Sequence, residues 1–173
     1  NHEHIFHFPY LENNGLNLDH IQDGLMAISL PVKKNEPLKK KIHELGELYL
    51  DTGPVLIQGD YFPGSWLRTP SGLKVIDPEF SFLGYPEFEL GVFLAHMAMA
   101  QQKKEQMRQV ITAYQSPVSF NDTYLAGFTG IEILRRLIGV GQLPLSLSIE
   151  QKKGMIDFAT QWILSGEPDL TGY

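Results

Sequence analysis

Residues 55–80 read VLIQGDYFPGSWLRTPSGLKVIDPEF, and here two short apolar runs each deliver an acidic residue into a polar turn. Val55, Leu56 and Ile57 lead to Asp60; Leu73, Val75 and Ile76 lead to Asp77 and then Glu79. The runs are joined by Trp66-Leu67-Arg68-Thr69 and a Pro70-Ser71-Gly72 turn, which predicts strands that fold back on one another. The ends carrying the carboxylates then lie together, and three acids share one cleft.

Clustered carboxylates repel unless a cation or protons neutralise them, so the arrangement points to a divalent metal. Magnesium suits it, because that hard ion takes a few carboxylate oxygens and keeps its other positions for water and phosphate. Asp77 and Glu79 stand two residues apart on what reads as an extended segment, where side chains at i and i+2 point the same way. Asp60, arriving from the neighbouring turn, can hold a substrate hydroxyl as a general base. Taken singly, Asp60 after Gly59 and Asp77 before Pro78 are also ordinary turn residues.

These residues carry a resemblance. Gly59-Asp60, Pro63-Gly64-Ser65 and Val75-Ile76-Asp77 are similar to the core of the aminoglycoside phosphotransferase and choline kinase superfamily, which has a protein-kinase-like fold. Asp77-Pro78-Glu79-Phe80 and Gly64-Ser65 most resemble the methylthioribose kinases, in which an Asp-x-Glu pair replaces the Asp-Phe-Gly of protein kinases. Asn1-His2-Glu3-His4-Ile5-Phe6 with Pro9-Tyr10, and Leu134-Arg135-Arg136-Leu137-Ile138-Gly139, extend the likeness over most of the chain. The resemblance implies that Asp60 accepts the acceptor's hydroxyl proton and that Asp77 and Glu79 hold Mg²⁺ on the phosphates of ATP. Ser65 stands where most relatives carry a metal-binding Asn, and support of the loop or of the metal is open for it.

Two departures bear on the loop. Gln58 stands where the superfamily usually has His, and Glu89 replaces its usual Asp in the following helix. Both put the rigidity of the turn around Asp60 in question, and support of the loop or of the metal is open for them as it is for Ser65. The nucleotide-clamping parts of the family, a Gly-rich loop and a strand Lys, do not occur in the sequence. Residues 1–173 are therefore expected to form a single domain, the C-terminal lobe of a small-molecule kinase without its N-terminal lobe, folded but inactive alone.

Composition agrees with a globular domain: 173 residues, 43% hydrophobic, with ten Phe, seven Tyr and two Trp. A formal net charge of -6 argues against nucleic acid as the main partner, since phosphate neutralisation needs clustered Lys and Arg. The run Lys39-Lys40-Lys41, with Lys33 and Lys34 before it, reads as the solvated face and start of a helix. With no Cys, no signal peptide and no apolar run of about 18 residues, a soluble cytoplasmic protein without a membrane partner is expected. A homodimer is left open.

The rest reads as helix, with apolar residues at helical spacing over 18–30 and 37–50, separated by Pro31. Pro86 fits the first turn of a buried helix running past Met97. Further helices are predicted over 104–114, 122–138 and 149–164, the last opened by a Ser148/Gln151 capping box. The fold class is mainly α with a small β element that presents the acids. Glu87 and Glu89 read as complements to a helix N-terminus, His2 and His4 as surface residues, and Phe80, Phe82, Met97 and Met99 as core.

On helix 122–138, Tyr124, Phe128, Ile131, Leu134 and Ile138 form a stripe that includes Arg135. Arg136 has a surface explanation through Glu132 one turn earlier. An inward guanidinium needs an anionic or hydroxyl-rich partner, either a structural carboxylate or a ligand. In methylthioribose kinases a matching Arg pair lies beside the sugar, so the resemblance implies substrate binding for both. The function implied is transfer of the ATP γ-phosphoryl group to a hydroxyl of a small polar metabolite, a methylthioribose-like sugar or an aminoglycoside-like alcohol. A non-catalytic kinase-like binding module, or a metal-dependent hydrolase built on the same acids, are the alternatives.

Overall fold

A computed structural model describes residues 1–116, 118–168 and 170 of the chain. Six helices carry most of it: α1 (Leu25–Lys33), α2 (Glu36–Leu50), α3 (Pro86–Met99), α4 (Lys104–Ala113), α5 (Asp122–Ile138) and α6 (Ile149–Ser165). Between α2 and α3 run four short strands, β1 (Val55–Ile57), β2 (Trp66–Thr69), β3 (Gly72–Val75) and β4 (Phe82–Gly84). The mainly α expectation holds.

Helix α5 is the centre. It packs on α3 along one side and on α6 along another, so every residue from Leu125 to Ile138 except Arg135 and Arg136 is buried. The second contact depends on Gly130, where a Cβ would lie 2.6 Å from the Ala159 carbonyl and 2.7 Å from Ile163. Only a residue without a side chain lets the two backbones come that close. Asn121 opens α5 by accepting the Thr123 N–H, and Glu87, 2% exposed on α3, accepts the Asn121 N–H at 2.7 Å. Glu87 thus complements a helix N-terminus as expected, including that of the neighbouring helix.

Helix ends follow their signals. Asn35 caps α2 through the Leu38 N–H, and Ser148 and Gln151 cap α6 reciprocally. The stretch 18–30 differs from its prediction. Leu18–His20 is a single turn, the chain leaves helical geometry at Gly24 with φ 83°, and α1 begins afterwards with Pro31 inside it. Asp19 accepts the Met26 N–H at 2.8 Å and so acts as the cap of α1 from seven residues away. Pro31 is tolerated because it lies on the exposed side of a short helix, where water can serve the carbonyl it leaves unpaired.

The strand pairing also differs. The runs 55–57 and 73–76 do not pair with each other. β1 pairs antiparallel with β4, and β2 with β3, so Trp66–Thr69, expected as a connection, is itself a strand. Three- and four-residue runs specify that a strand exists but not its partner. Phe80 is exposed at 40%, whereas Phe82 meets Tyr49 edge-on and lies tilted against Phe88. Met99 is buried and Met97 half-buried. His2 is not a free surface residue but stacks on Phe6, and Lys33 is buried, while Lys34, Lys40 and Lys41 are exposed.

Candidate active site

The turn that follows β1 is fixed from three sides. Gly59 has φ 81°, and a Cβ there would meet the Phe80 carbonyl at 2.3 Å, so both the conformation and the space demand glycine. From the first turn of α3, Glu89 accepts the Gln58 N–H with Oε1 and the Gly59 N–H with Oε2, each at 3.0 Å. Gln58 turns its own side chain across the gap. Its Oε1 accepts the Asp60 N–H at 2.8 Å, and its Nε2 donates to the carbonyls of Ile76 (3.2 Å) and Asp77 (2.9 Å). All three partners agree on which end of the amide is oxygen. Of the readings open for Gln58 and Glu89, loop support is the one with hydrogen bonds behind it: together they satisfy three backbone N–H groups and two carbonyls. Burial raises the Glu89 carboxyl above its ordinary range, opposed by the two N–H bonds it accepts.

Ser65 belongs to the same scaffold. It is buried, its Oγ donates to the Asp60 carbonyl at 2.8 Å, and its carbonyl accepts the Ile76 N–H at 2.9 Å. Of the two roles open to it, the loop is the one with hydrogen bonds behind it.

Asp77 and Glu79 do not sit on an extended segment. The strand ends at Val75, Asp77 takes left-handed backbone angles (φ 57°, ψ 59°), and Glu79 lies in the short helical turn Pro78–Phe80. Pro78 and the pull of Gln58 on the Asp77 carbonyl explain the break. A left-handed Asp is uncommon and costs backbone energy, which places it with the strained residues that cluster at functional sites. Both carboxylates are exposed, and among the described residues neither has a hydrogen-bond or ion-pair partner. Among those residues there is also no group of three or more His, Asp or Glu placed to hold a metal. Asp60 itself turns towards α5, where Arg136 and Arg135 lie.

At α5 one buried carboxylate organises the site. Glu132, 2% exposed, pairs with Arg135 through Nε and, at 3.0 Å, Nη2, and with Arg136 through Nε at 2.8 Å. From α3, His96 lies 3.2 Å from the same Oε1. Burial alone would raise the Glu132 carboxyl, but Arg135, the His96 hydrogen bond and Arg136 together outweigh it and bring it down to about 2. Glu132 is thus ionised, and His96 Nε2 must carry the proton and donate it. Both arginines are largely buried, at 15% and 12% side-chain exposure, so the surface explanation for Arg136 is corrected. Arg136 also lies over the Phe62 ring, 5.4 Å from its centre, and Phe62 tilts against His96 at 5.1 Å.

Across this cluster Asp60 Oδ1 is 3.5 Å from Arg136 Nη2 and 3.9 Å from Arg135 Nη2. Its side chain is 26% exposed, and Oδ2 has no hydrogen bond among the described residues. Burial raises the Asp60 carboxyl above the ordinary aspartate range, with Arg136 and Arg135 opposing and Glu132 adding to the rise. That is the condition of a carboxylate able to take up a proton. A separate concavity of about 820 Å³, lined by His2, Phe6, Tyr10 and His43 among others, contains none of the three acids.

Glu132 and His96 were not singled out from the sequence. Glu132 was visible as the residue one turn before Arg136, and His96 as a lone polar group in an apolar helix. What sequence could not show is that α3 covers that face of α5.

Curated proteins similar to this chain include several methylthioribose kinases. A methylthioribose kinase of Bacillus velezensis is 25% identical over 197 residues, covering 92% of this chain and 49% of that protein. The chain is related to the methylthioribose kinases. One from Exiguobacterium sibiricum is 28% identical over 166 residues, covering 76% of this chain and 41% of that protein. Methylthioribose kinase 1 of Oryza sativa subsp. japonica is 36% identical over 69 residues, covering 40% and 16%. The chain thus spans less than half the length of these kinases. No protein-family model matches it. Among the described residues no helix is long and apolar enough to cross a membrane.

Proposed function

We propose that this chain forms the acceptor-side lobe of an ATP-dependent kinase that phosphorylates a hydroxyl of a small, neutral, sugar-like metabolite. The observation that carries the reading is Asp60: a half-buried carboxylate on a turn fixed by Gln58, Glu89 and Ser65, with one oxygen towards two arginines and the other unengaged. In the proposed reaction the acceptor hydroxyl binds at Oδ2. Its oxygen forms a bond to the γ-phosphorus of ATP as the bond to the β,γ-bridging oxygen breaks, the proton passes to Asp60, and ADP leaves.

Asp77 and Glu79 fit a magnesium ion. Both are exposed hard-oxygen donors without protein partners, and the lack of a third acid among the described residues suits an ion that gathers few carboxylates and takes substrate phosphates as further ligands. When bound, Mg²⁺ would offset charge on the phosphates. The chain's own contribution is to hold these carboxylates next to the Asp60 turn through the Gln58 amide.

The arginines favour a neutral acceptor over a cationic one. Two guanidiniums bordering Asp60 offer donors to sugar hydroxyls and repel ammonium groups. The binding-module alternative loses the support of Gln58 and Glu89, since both hold the loop. The hydrolase alternative, which needs a second set of metal ligands, gains no support from the described residues.

The test is phosphoryl transfer by the full protein with MgATP, offered methylthioribose, choline and kanamycin. Transfer to methylthioribose alone is expected. Transfer to kanamycin or choline would overturn the neutral-acceptor reading, and transfer to none of them would overturn the kinase reading.

A further inference from the structure

We infer that Glu132, backed by His96, is a positioning residue that sets the orientation of the Arg135 and Arg136 guanidiniums towards the acceptor and keeps them from closing on Asp60. The inference rests on the reading of Asp60 as the proton acceptor in phosphoryl transfer.

The hydrogen-bond pattern supports it. Glu132 takes the Nε–H of both arginines, one on each carboxylate oxygen. An Nε–H bond fixes the rotation of the guanidinium about its Cδ–Nε bond, which decides where the Nη edge points. With Nε held on Glu132, Arg136 Nη2 faces Asp60 at 3.5 Å, and Arg135 Nη2, which also donates to Glu132 Oε1 at 3.0 Å, lies 3.9 Å from Asp60, near enough to feel its charge but not in close contact. Arg136 Nη1 is held by the Gly141 carbonyl at 3.1 Å, so that side chain is fixed at two points.

Charge adds a second argument. One buried carboxylate needs one cation to balance it, and here it holds two. The excess positive charge is offset by Asp60, so the four groups Glu132, Arg135, Arg136 and Asp60 are neutral as a set. If Glu132 were neutral, both guanidiniums would be free to pair fully with Asp60, quenching the group that has to take the proton. His96 matters because it donates to Glu132 from α3, across the helix contact. That bond prevents the carboxylate from swinging along α5 with its arginines. Phe62, between His96 and Arg136, couples the same contact to the loop that follows Asp60.

The experiment uses the full protein and Glu132→Gln, which keeps the shape and removes the charge. The Michaelis constant for methylthioribose should rise about tenfold, the scale of losing one charge-assisted hydrogen bond, while that for ATP stays within about twofold. Because Glu132 acts through the two arginines, the rise should vanish in an Arg135→Ala/Arg136→Ala background. Independently of activity, two arginine Nε–H signals protected from exchange should be present in the parent, retained in Asp60→Asn and reduced to at most one in Glu132→Gln, whose amide keeps a single acceptor oxygen. If Glu132→Gln does not fold, His96→Asn takes its place, with about a threefold rise in the acceptor constant expected. An acceptor constant unchanged in the folded variant, while Asp60→Asn abolishes transfer, would overturn this inference and leave the kinase reading standing. Unprotected Nε–H signals in the parent would overturn it even if no transfer were seen at all.

Discussion

Replacing Glu89 by alanine removes the acceptor of two backbone N–H groups at once, those of Gln58 and Gly59, each now 3.0 Å from a carboxylate oxygen. A hydrogen bond to a charged group contributes about 1.5–3 kcal/mol, and the lower end applies here because the turn is only half-buried and water can replace part of the loss. The expected cost of Glu89→Ala is therefore about 2–4 kcal/mol. Glu89→Gln keeps one acceptor oxygen and should lose about half of that. Glu89→Asp keeps the charge but is one methylene short, so it should hold one N–H well and cost about 1 kcal/mol. Urea unfolding of the full protein measures the totals. Hydrogen exchange of a peptide spanning residues 55–62 locates them, with exchange in the alanine variant faster by roughly tenfold or more. Unchanged exchange across that peptide, or an alanine variant as stable as the parent, would refute the claim that Glu89 holds the turn.

Three further outcomes are expected. Gly130→Ala places a Cβ 2.6 Å from the Ala159 carbonyl, so α5 and α6 must part, and urea unfolding should show a loss of about 1–3 kcal/mol. Glu132 sits at about 2 in the folded protein against an ordinary 4.5, so the stability it confers is fully present above about pH 4.5 and drains away as pH falls towards 2. That gap corresponds to about 3 kcal/mol, and unfolding followed across that window should show a flatter acid limb in Glu132→Gln. Asp77→Asn, by removing an unpartnered carboxylate, should raise the Mg²⁺ concentration needed for half-maximal transfer by about tenfold while leaving the melting temperature within about a degree.

The helices were largely legible because their ends carry local chemistry. Asn35 and the Ser148/Gln151 pair each serve backbone groups within a turn of themselves, and Pro86 presets the backbone angle of the first turn of α3, so neighbours in sequence suffice to place them. Helix α1 was misjudged for the opposite reason: its cap is Asp19, seven residues upstream and reached across a left-handed glycine. The strands failed at pairing, since β1 pairs with β4 across the intervening β2–β3 hairpin and not with the run that follows it most closely in sequence. In the site, Asp60 and Arg135 were legible as an acid in a turn and a cation in an apolar stripe. The burial of Glu132 was not, because a helical wheel shows the faces of one helix and not that α3 and α6 cover two of them. The groups that Gln58 holds were also hidden. Its three partners lie at residues 60, 76 and 77, and only the folded turn brings them within reach of one amide.

The central claim is that Asp60 receives the proton of the acceptor hydroxyl. Asp60→Asn in the full protein is the most direct test, because it keeps the shape of the side chain and its place on the fixed turn while removing the ability to take up a proton. The turnover number with methylthioribose and MgATP is expected to fall by about 100-fold or more, with ATP affinity within about twofold of the parent. Turnover within a few-fold of the parent, with the variant folded and the arginine Nε–H signals intact, would contradict the account.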